Sequence, residues 1–197
     1  MSINGLTFIE KVVSEAHSKE ISDWFFSEET QATLQSVTES PGSRRVIHYG
    51  YKYNYTSGNL HEETEPMPEI ISNLLDHVPV KGAKDYFNQC IINRYLPGQG
   101  ISAHIDRTGY GDTIACFTFG KSGREMQFSR TGKTAVKVYT PPGSLYIMQK
   151  DARYRWKHSM KARRSDTLEN NVKIVRKICF SVTFRHVPPK VKAHVVN

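Results

Sequence analysis

Two histidines and an aspartate carry the first chemical suggestion. The stretch Ser102-Ala103-His104-Ile105-Asp106 contains an HxD unit. On a strand, alternate side chains share a face, so His104 and Asp106 project together while Ile105 points away. Imidazole nitrogen and carboxylate oxygen suit a borderline divalent iron. Two histidines and one carboxylate on one face leave coordination positions open for other ligands. The third ligand is expected to be a histidine from a distant strand. His158, in Arg155-Trp156-Lys157-His158-Ser159-Met160, lies 52 residues beyond Asp106. His17, His48, His61, His77, His186 and His194 have no comparable surroundings. An HxD pair also recurs by chance, so its weight depends on the residues around it.

The elements that must position these groups are legible in outline. A chain of 197 residues fits one domain. A helix is expected over 14–26, with Ile21, Trp24 and Phe25 on one face. A second is expected over 68–78, with Pro68 at its first position and Ile70, Ile71, Leu74, Leu75 and Val78 on one face. Strands are expected over 47–55, 88–95, 101–106, 113–119, 126–129, 135–140, 144–148 and 177–185, separated by turn signals such as Pro97-Gly98 and Pro141-Pro142-Gly143. Many short strands at this spacing imply a mainly β sandwich or barrel with flanking helices, a jelly roll being one such architecture. The polar segment 161–175 reads as a surface loop, and the tail 188–197 as basic and loosely held.

Composition narrows the function classes. No apolar run approaches the ~18 residues of a membrane helix. Met1-Ser2-Ile3-Asn4-Gly5 lacks the charged and apolar regions of a signal peptide, so an intracellular location, cytoplasmic or nuclear, is expected. Cys90, Cys116 and Cys179 form no CxxC pair, which suits a reducing compartment. A net charge of +8 favours a polyanionic partner such as nucleic acid.

The surroundings of the HxD unit resemble the AlkB family of Fe(II)- and 2-oxoglutarate-dependent dioxygenases. The segment from Asn93-Arg94-Tyr95 through Pro97-Gly98 to His104-Ile105-Asp106 is similar to that family's core segment. Ser181-Val182-Thr183-Phe184-Arg185 resembles its closing strand, Tyr49-Gly50-Tyr51-Lys52-Tyr53 its tyrosine-rich substrate segment, and Arg153 to His158 the approach to its distal ligand. The matches occur in the family's order. The resemblance implies a double-stranded β-helix (jelly roll) core over 44–187, with 1–43 as an N-terminal extension packed on it. It implies Fe(II), 2-oxoglutarate and dioxygen, with His104, Asp106 and His158 as iron ligands. It places Asn93, Tyr95, Ser181 and Arg185 beside the cosubstrate. It also implies oxidative hydroxylation or dealkylation, usually of bases in DNA or RNA. Tyr49, Tyr51, Tyr53, Arg44 and Arg45 are then expected to meet substrate, by stacking and by phosphate contacts. The alternatives are a protein side chain as substrate of the same chemistry, or a nucleic-acid-binding module with impaired catalysis. A monomer is expected.

The chain departs from the family pattern at three places. The family carries a second arginine six residues before the one matching Arg185, where it pairs with the distal carboxylate of 2-oxoglutarate; here that position is Cys179. Lys177, on the same strand face, and Arg176, reached through a bulge, are the expected substitutes. The acidic residue that founding repair members place two positions after the HxD aspartate is Thr108 here, and the aromatic expected upstream of the tyrosine segment gives way to Arg44 and Arg45. Arg45 to Tyr51 and Asp112 to Cys116 resemble more closely the branch that hydroxylates a tRNA wobble uridine. The further RNA-recognition and methyltransferase domains of that branch exceed the length of this chain.

Overall fold

Period-two alternation in the central strands decides the architecture, because each strand must serve a greasy face and a chemical face at once. The computed structural model describes residues 2–36, 43–54, 57–168 and 171–190. In chain order its strands are β1 (Leu6–Ile9), β2 (Gln35–Ser36), β3 (Arg45–Tyr49), β4 (Tyr51–Lys52), β5 (Glu62–Glu63), β6 (Gln89–Tyr95), β7 (Ile101–His104) and β8 (Ile114–Gly120). They continue with β9 (Arg124–Ser129), β10 (Val136–Thr140), β11 (Leu145–Met148), β12 (Lys157–Met160), β13 (Ser165–Thr167), β14 (Lys173–Val175) and β15 (Cys179–Arg185). A seven-stranded sheet runs in the order β1-β11-β8-β15-β6-β3-β2, and a four-stranded sheet in the order β10-β9-β12-β7. All pairings are antiparallel. The two sheets form a jelly roll.

In β15, Phe180, Val182 and Phe184 join the larger core cluster on the outer face of the seven-stranded sheet. Cys179, Ser181, Thr183 and Arg185 point the other way, into the space between the sheets. β6 and β8 repeat the pattern: Ile92, Phe117 and Phe119 face outward, while Asn93, Tyr95, Cys116 and Thr118 face inward. The outer face is covered by α1 (Glu15–Phe26), whose Ile21 and Phe25 are fully buried. Phe25 stacks on Phe180 with ring centroids 4.5 Å apart. Burying each such side chain contributes ~1.5–3 kcal/mol. The start of α1 is set by Ser14, whose hydroxyl accepts from the His17 amide. Its end is set by Ser27, which caps α2 (Glu28–Thr33) by accepting from the Thr30 amide. Among the described residues no helix is long and apolar enough to cross a membrane.

Several expectations need correction. The strand expected over 101–106 stops at His104, so Asp106 lies just past its end. The strand expected over 47–55 breaks at Gly50, whose φ of +75° turns the chain; Tyr55 lies outside the described residues. A Cβ at Gly50 would sit 2.0 Å from the Asn88 carbonyl oxygen, so only glycine fits there. The helix expected over 68–78 is a short α3 (Glu69–Ser72) continued by a 3₁₀ turn over Asn73–His77, with Pro68 as its cap. Its apolar residues are buried as expected at Ile71, Leu74, Leu75 and Val78. Segment 161–175 is not simply a surface loop. It carries the β13–β14 hairpin, and Asp166 within it is fully buried because Arg163 and Arg176 neutralise it. Two short helices, α4 (Ala83–Tyr86) and α5 (Lys150–Tyr154), complete the elements. Residues 191–197 of the basic tail lie outside the described residues.

Candidate metal and cosubstrate site

The facing positions of β7 and β12 bring two distant histidines together. His104 and His158 are direct register partners, with ring centroids 4.2 Å apart. Asp106, two residues past the end of β7, closes the group: one ligand atom from each of the three lies within 4.8 Å of the others. The Nδ1 of His104 is 2.8 Å from the Ser102 carbonyl oxygen. A carbonyl only accepts, so Nδ1 carries the proton and Nε2 is left to bind a metal. His158 is buried, and burial pushes its imidazole down to about 4 despite the pull of Asp106, keeping it in the neutral, ligating form. Burial alone would raise the Asp106 carboxyl; Arg185, His158 and His104 hold it well below the usual carboxylate range.

The aspartate is oriented from two sides. Arg185 Nη2 donates to its Oδ1 at 2.5 Å. Its buried Oδ2 makes no hydrogen bond and lies 3.4 Å from His158 Nε2. A buried carboxylate oxygen without a donor is costly unless a cation meets it. This donor set fits a divalent iron. The turn after β7 is held by Arg153, which is 1% exposed. It donates to the carbonyls of Asp106, Arg107, Tyr110 and Gly111.

Behind the histidines, a narrow cavity of about 50 Å³ runs between the sheets. Asn93, Tyr95, Ser181 and Arg185 all line it. Asn93 and Ser181 are register partners, and the Asn93 amide donates to the Ser181 hydroxyl at 3.3 Å. Burial pushes the Tyr95 phenol up to about 12, so it stays protonated. The expected basic substitutes do not reach this space. Lys177 is exposed and lends only its backbone, to Ser122 and Arg124. Arg176 is buried, but its guanidinium is spent on Asp166 and on the carbonyls of Lys161, Arg163 and Gln99. No bulge turns it inward; β15 begins only at Cys179. Arg124 of β9 lines the cavity instead. Its signal in the sequence was an arginine two and four residues before the inward-facing apolar Met126 and Phe128.

A wider cavity of about 450 Å³ opens on the other side of His104 and Asp106. Arg44 and Tyr53 line it, together with Arg107 and Tyr110, which sequence reasoning missed. Arg107 Nε donates to the Tyr53 hydroxyl at 2.9 Å, and its guanidinium carbon sits 5.6 Å from the ring centroid. Arg44 Nε donates to Asn93 Oδ1 at 2.9 Å, linking the two cavities. The other expected substrate residues point elsewhere. Tyr49 packs against the larger core cluster, Tyr51 packs with Leu60, Tyr110 and Val187, and Arg45 is exposed on β3 opposite Arg94. The break at Gly50 separates Tyr49 from Tyr51 and Tyr53, which pack against the same small cluster.

Residues 5–185 match the family described as the 2OG-Fe(II) oxygenase superfamily. The chain is 32% identical over 174 residues to the tRNA (carboxymethyluridine(34)-5-O)-methyltransferase ALKBH8 of Macaca fascicularis, covering 84% of this chain and 25% of that protein. It therefore spans about a quarter of the length of that relative. It is also 32% identical over 180 residues to the uncharacterized protein L905 of Acanthamoeba polyphaga mimivirus, covering 85% of this chain and 83% of that one. Among solved structures, OsALKBH1 superposes with a TM-score of 0.62 at 14% identity, over 92% of this chain and 98% of that one.

Proposed function

Because the chain belongs to the 2OG-Fe(II) oxygenase superfamily, in its AlkB branch, and works with Fe(II), 2-oxoglutarate and dioxygen, we propose that it oxidises a modified base in nucleic acid. The specific form we favour is a substituent on a tRNA uridine. The ALKBH8 relative, of which this chain matches a quarter, is named as a methyltransferase of carboxymethyluridine at position 34 of tRNA.

The observation that carries this reading is the outer cavity. It opens on His104 and Asp106 and is walled by Tyr53, Tyr110 and the guanidinium groups of Arg44 and Arg107. Aromatic faces beside arginines suit an unstacked base and its phosphates. A duplex base would have to leave its stack to enter. The net charge of +8 supports a polyanionic substrate.

In this reading His104, Asp106 and His158 would hold the metal, and Asn93, Tyr95 and Ser181 would offer polar groups to the cosubstrate. When bound, Fe(II) and 2-oxoglutarate supply the activation of dioxygen that converts a C–H bond to C–OH, the oxo acid leaving as succinate and carbon dioxide. Arg185 keeps Asp106 ionised and aimed, and the Ser102 carbonyl fixes the ring of His104. Met126, Tyr146 and Met148 wall the inner cavity and exclude water. Where the hydroxylated carbon is an N-methyl, the product then sheds formaldehyde.

The test is a substrate panel scored by mass spectrometry for gain of one oxygen or loss of one methyl. It contains tRNA bearing a carboxymethylated wobble uridine, methylated RNA and DNA oligonucleotides, and methylated peptides. Turnover of a nucleic-acid member is expected. Turnover of peptides alone would overturn the reading.

A further inference from the structure

The inner cavity has two chemically distinct levels. At one, Arg185 meets Asp106, and His158 stands opposite Phe128 of β9. Arg124 lies four residues back along β9, roughly 13 Å of strand from that level. Cys179, six residues from Arg185 along β15, faces the cavity at the Arg124 end. A ligand chelated at the histidines and extended between the sheets therefore points its far end toward Arg124.

Among the described residues three arginines are fully buried. Arg176 is neutralised by Asp166. Arg153 gives all its nitrogens to the turn that carries Asp106. Arg124 alone of the three lines the inner cavity. Its Nη1 donates to the Ser122 hydroxyl and the Gly123 carbonyl, and its Nη2 to the carbonyls of Tyr95 and Lys177. All four acceptors are neutral, and no carboxylate among the described residues pairs with it. The neighbouring acids are occupied, Glu125 by Arg163 and Lys137, and Asp166 by Arg163 and Arg176. Its Nε–H is buried without any partner. Cys179 supplies no charge either, because burial pushes its thiol up to about 12. A buried guanidinium held only by neutral groups is expensive until an anion joins it.

We propose that Arg124 is the counter-charge for the distal carboxylate of 2-oxoglutarate, standing on β9 in place of the β15 arginine whose position Cys179 occupies. The small thiol leaves room for the guanidinium to reach across from the facing sheet. Arg124 thereby selects a dicarboxylic oxo acid over a monocarboxylic one. This rests on the family's cosubstrate, and is independent of which primary substrate is oxidised.

The test compares 2-oxoglutarate with 2-oxobutyrate, which chelates a metal identically but has no distal carboxylate. Both are titrated calorimetrically into the Mn(II)-loaded protein without oxygen. The wild type is expected to prefer 2-oxoglutarate. In Arg124→Met the affinity for 2-oxoglutarate should fall about 30-fold or more, about 2 kcal/mol at 1.4 kcal/mol per tenfold. The affinity for 2-oxobutyrate should stay within about threefold of wild type. Arg124→Lys keeps the charge without the fork, should fall between, and serves if the methionine variant does not fold. Adding Cys179→Arg to Arg124→Met should restore the preference. A wild type that binds both acids equally, or variants that lose both in parallel, would make Arg124 a backbone clamp and overturn the proposal. Failure of the wild type to bind either acid would sink it together with the cosubstrate itself.

Discussion

Replacing Arg153 by methionine tests how the metal ligand outside the strands is held in place. The guanidinium is 1% exposed. It donates to the carbonyls of Arg107 at 2.6 Å, Asp106 at 2.8 Å, Gly111 at 3.2 Å and Tyr110 at 3.3 Å. These carbonyls frame the turn after β7. Hydrogen bonds from a charged donor contribute ~1.5–3 kcal/mol each. Bonds that share one donor group are not additive, so truncation is expected to cost ~3–5 kcal/mol in total. For a chain of this size each kcal/mol lowers Tm by about 2–4 °C. Metal binding should suffer separately. A loosened turn lets Asp106 drift from His104 and His158, and loss of such a support lowers metal affinity about 10–100-fold. The assay is anaerobic titration with Mn(II), set beside a thermal melt of the metal-free protein. Arg153→Lys, one donor point in place of a planar fork, should fall between. If Arg153→Met melts lower yet binds Mn(II) with the wild-type Kd, Arg153 is a stability element only and the positioning argument fails.

Asp166 gives a pH prediction. Burial would raise its carboxyl, but hydrogen bonds from Arg176 and Arg163 hold it below its ordinary value. A depressed folded pKa means that the stability it contributes is present above the unfolded value of about 4 and is lost as pH falls below it. Asp166→Asn should therefore flatten the acid limb of a denaturant-stability profile, and should cost ~3–5 kcal/mol at pH 7 by leaving the buried Arg176 without its carboxylate; an unchanged acid limb would count against the ion pairs. Arg107→Ala should weaken binding of the nucleic-acid substrate and lower the slope of log affinity against log salt by about one, with 2-oxoglutarate affinity unaltered. A slope equal to wild type would remove Arg107 from the phosphate path. Gly50→Ala should cost ~1–3 kcal/mol, read as a lower denaturation midpoint, since its φ is +75° and the added Cβ meets the Asn88 carbonyl. An unshifted midpoint would mean that the turn is not tightly held.

The sequence determined the chemistry wherever local spacing translates directly into direction. Two-residue alternation put His104 and Asp106 on one side of their strand, and the structure brings both to the group that His158 completes. The helix over 14–26 and its apolar face were legible for the same reason: each depends on neighbours within one or two helical turns. The HxD spacing survived although β7 ends two residues short of Asp106, because Arg153 and Arg185 hold the turn from outside.

Tertiary structure alone decided the long-range pairings. Nothing local marks 161–175 as a hairpin around a buried Asp166; that burial exists only because Arg163 and Arg176 converge on it. Tyr49 was turned away from Tyr51 and Tyr53 by one left-handed glycine, which a count of alternating residues passes over. Arg176 and Lys177 sit near Cys179 in the chain, yet the arginine that lines the cavity beside Arg185 comes from β9, across the sandwich. Spacing along one strand fixes where a side chain points, but which strand faces it depends on sheet order, and no local pattern carries that information.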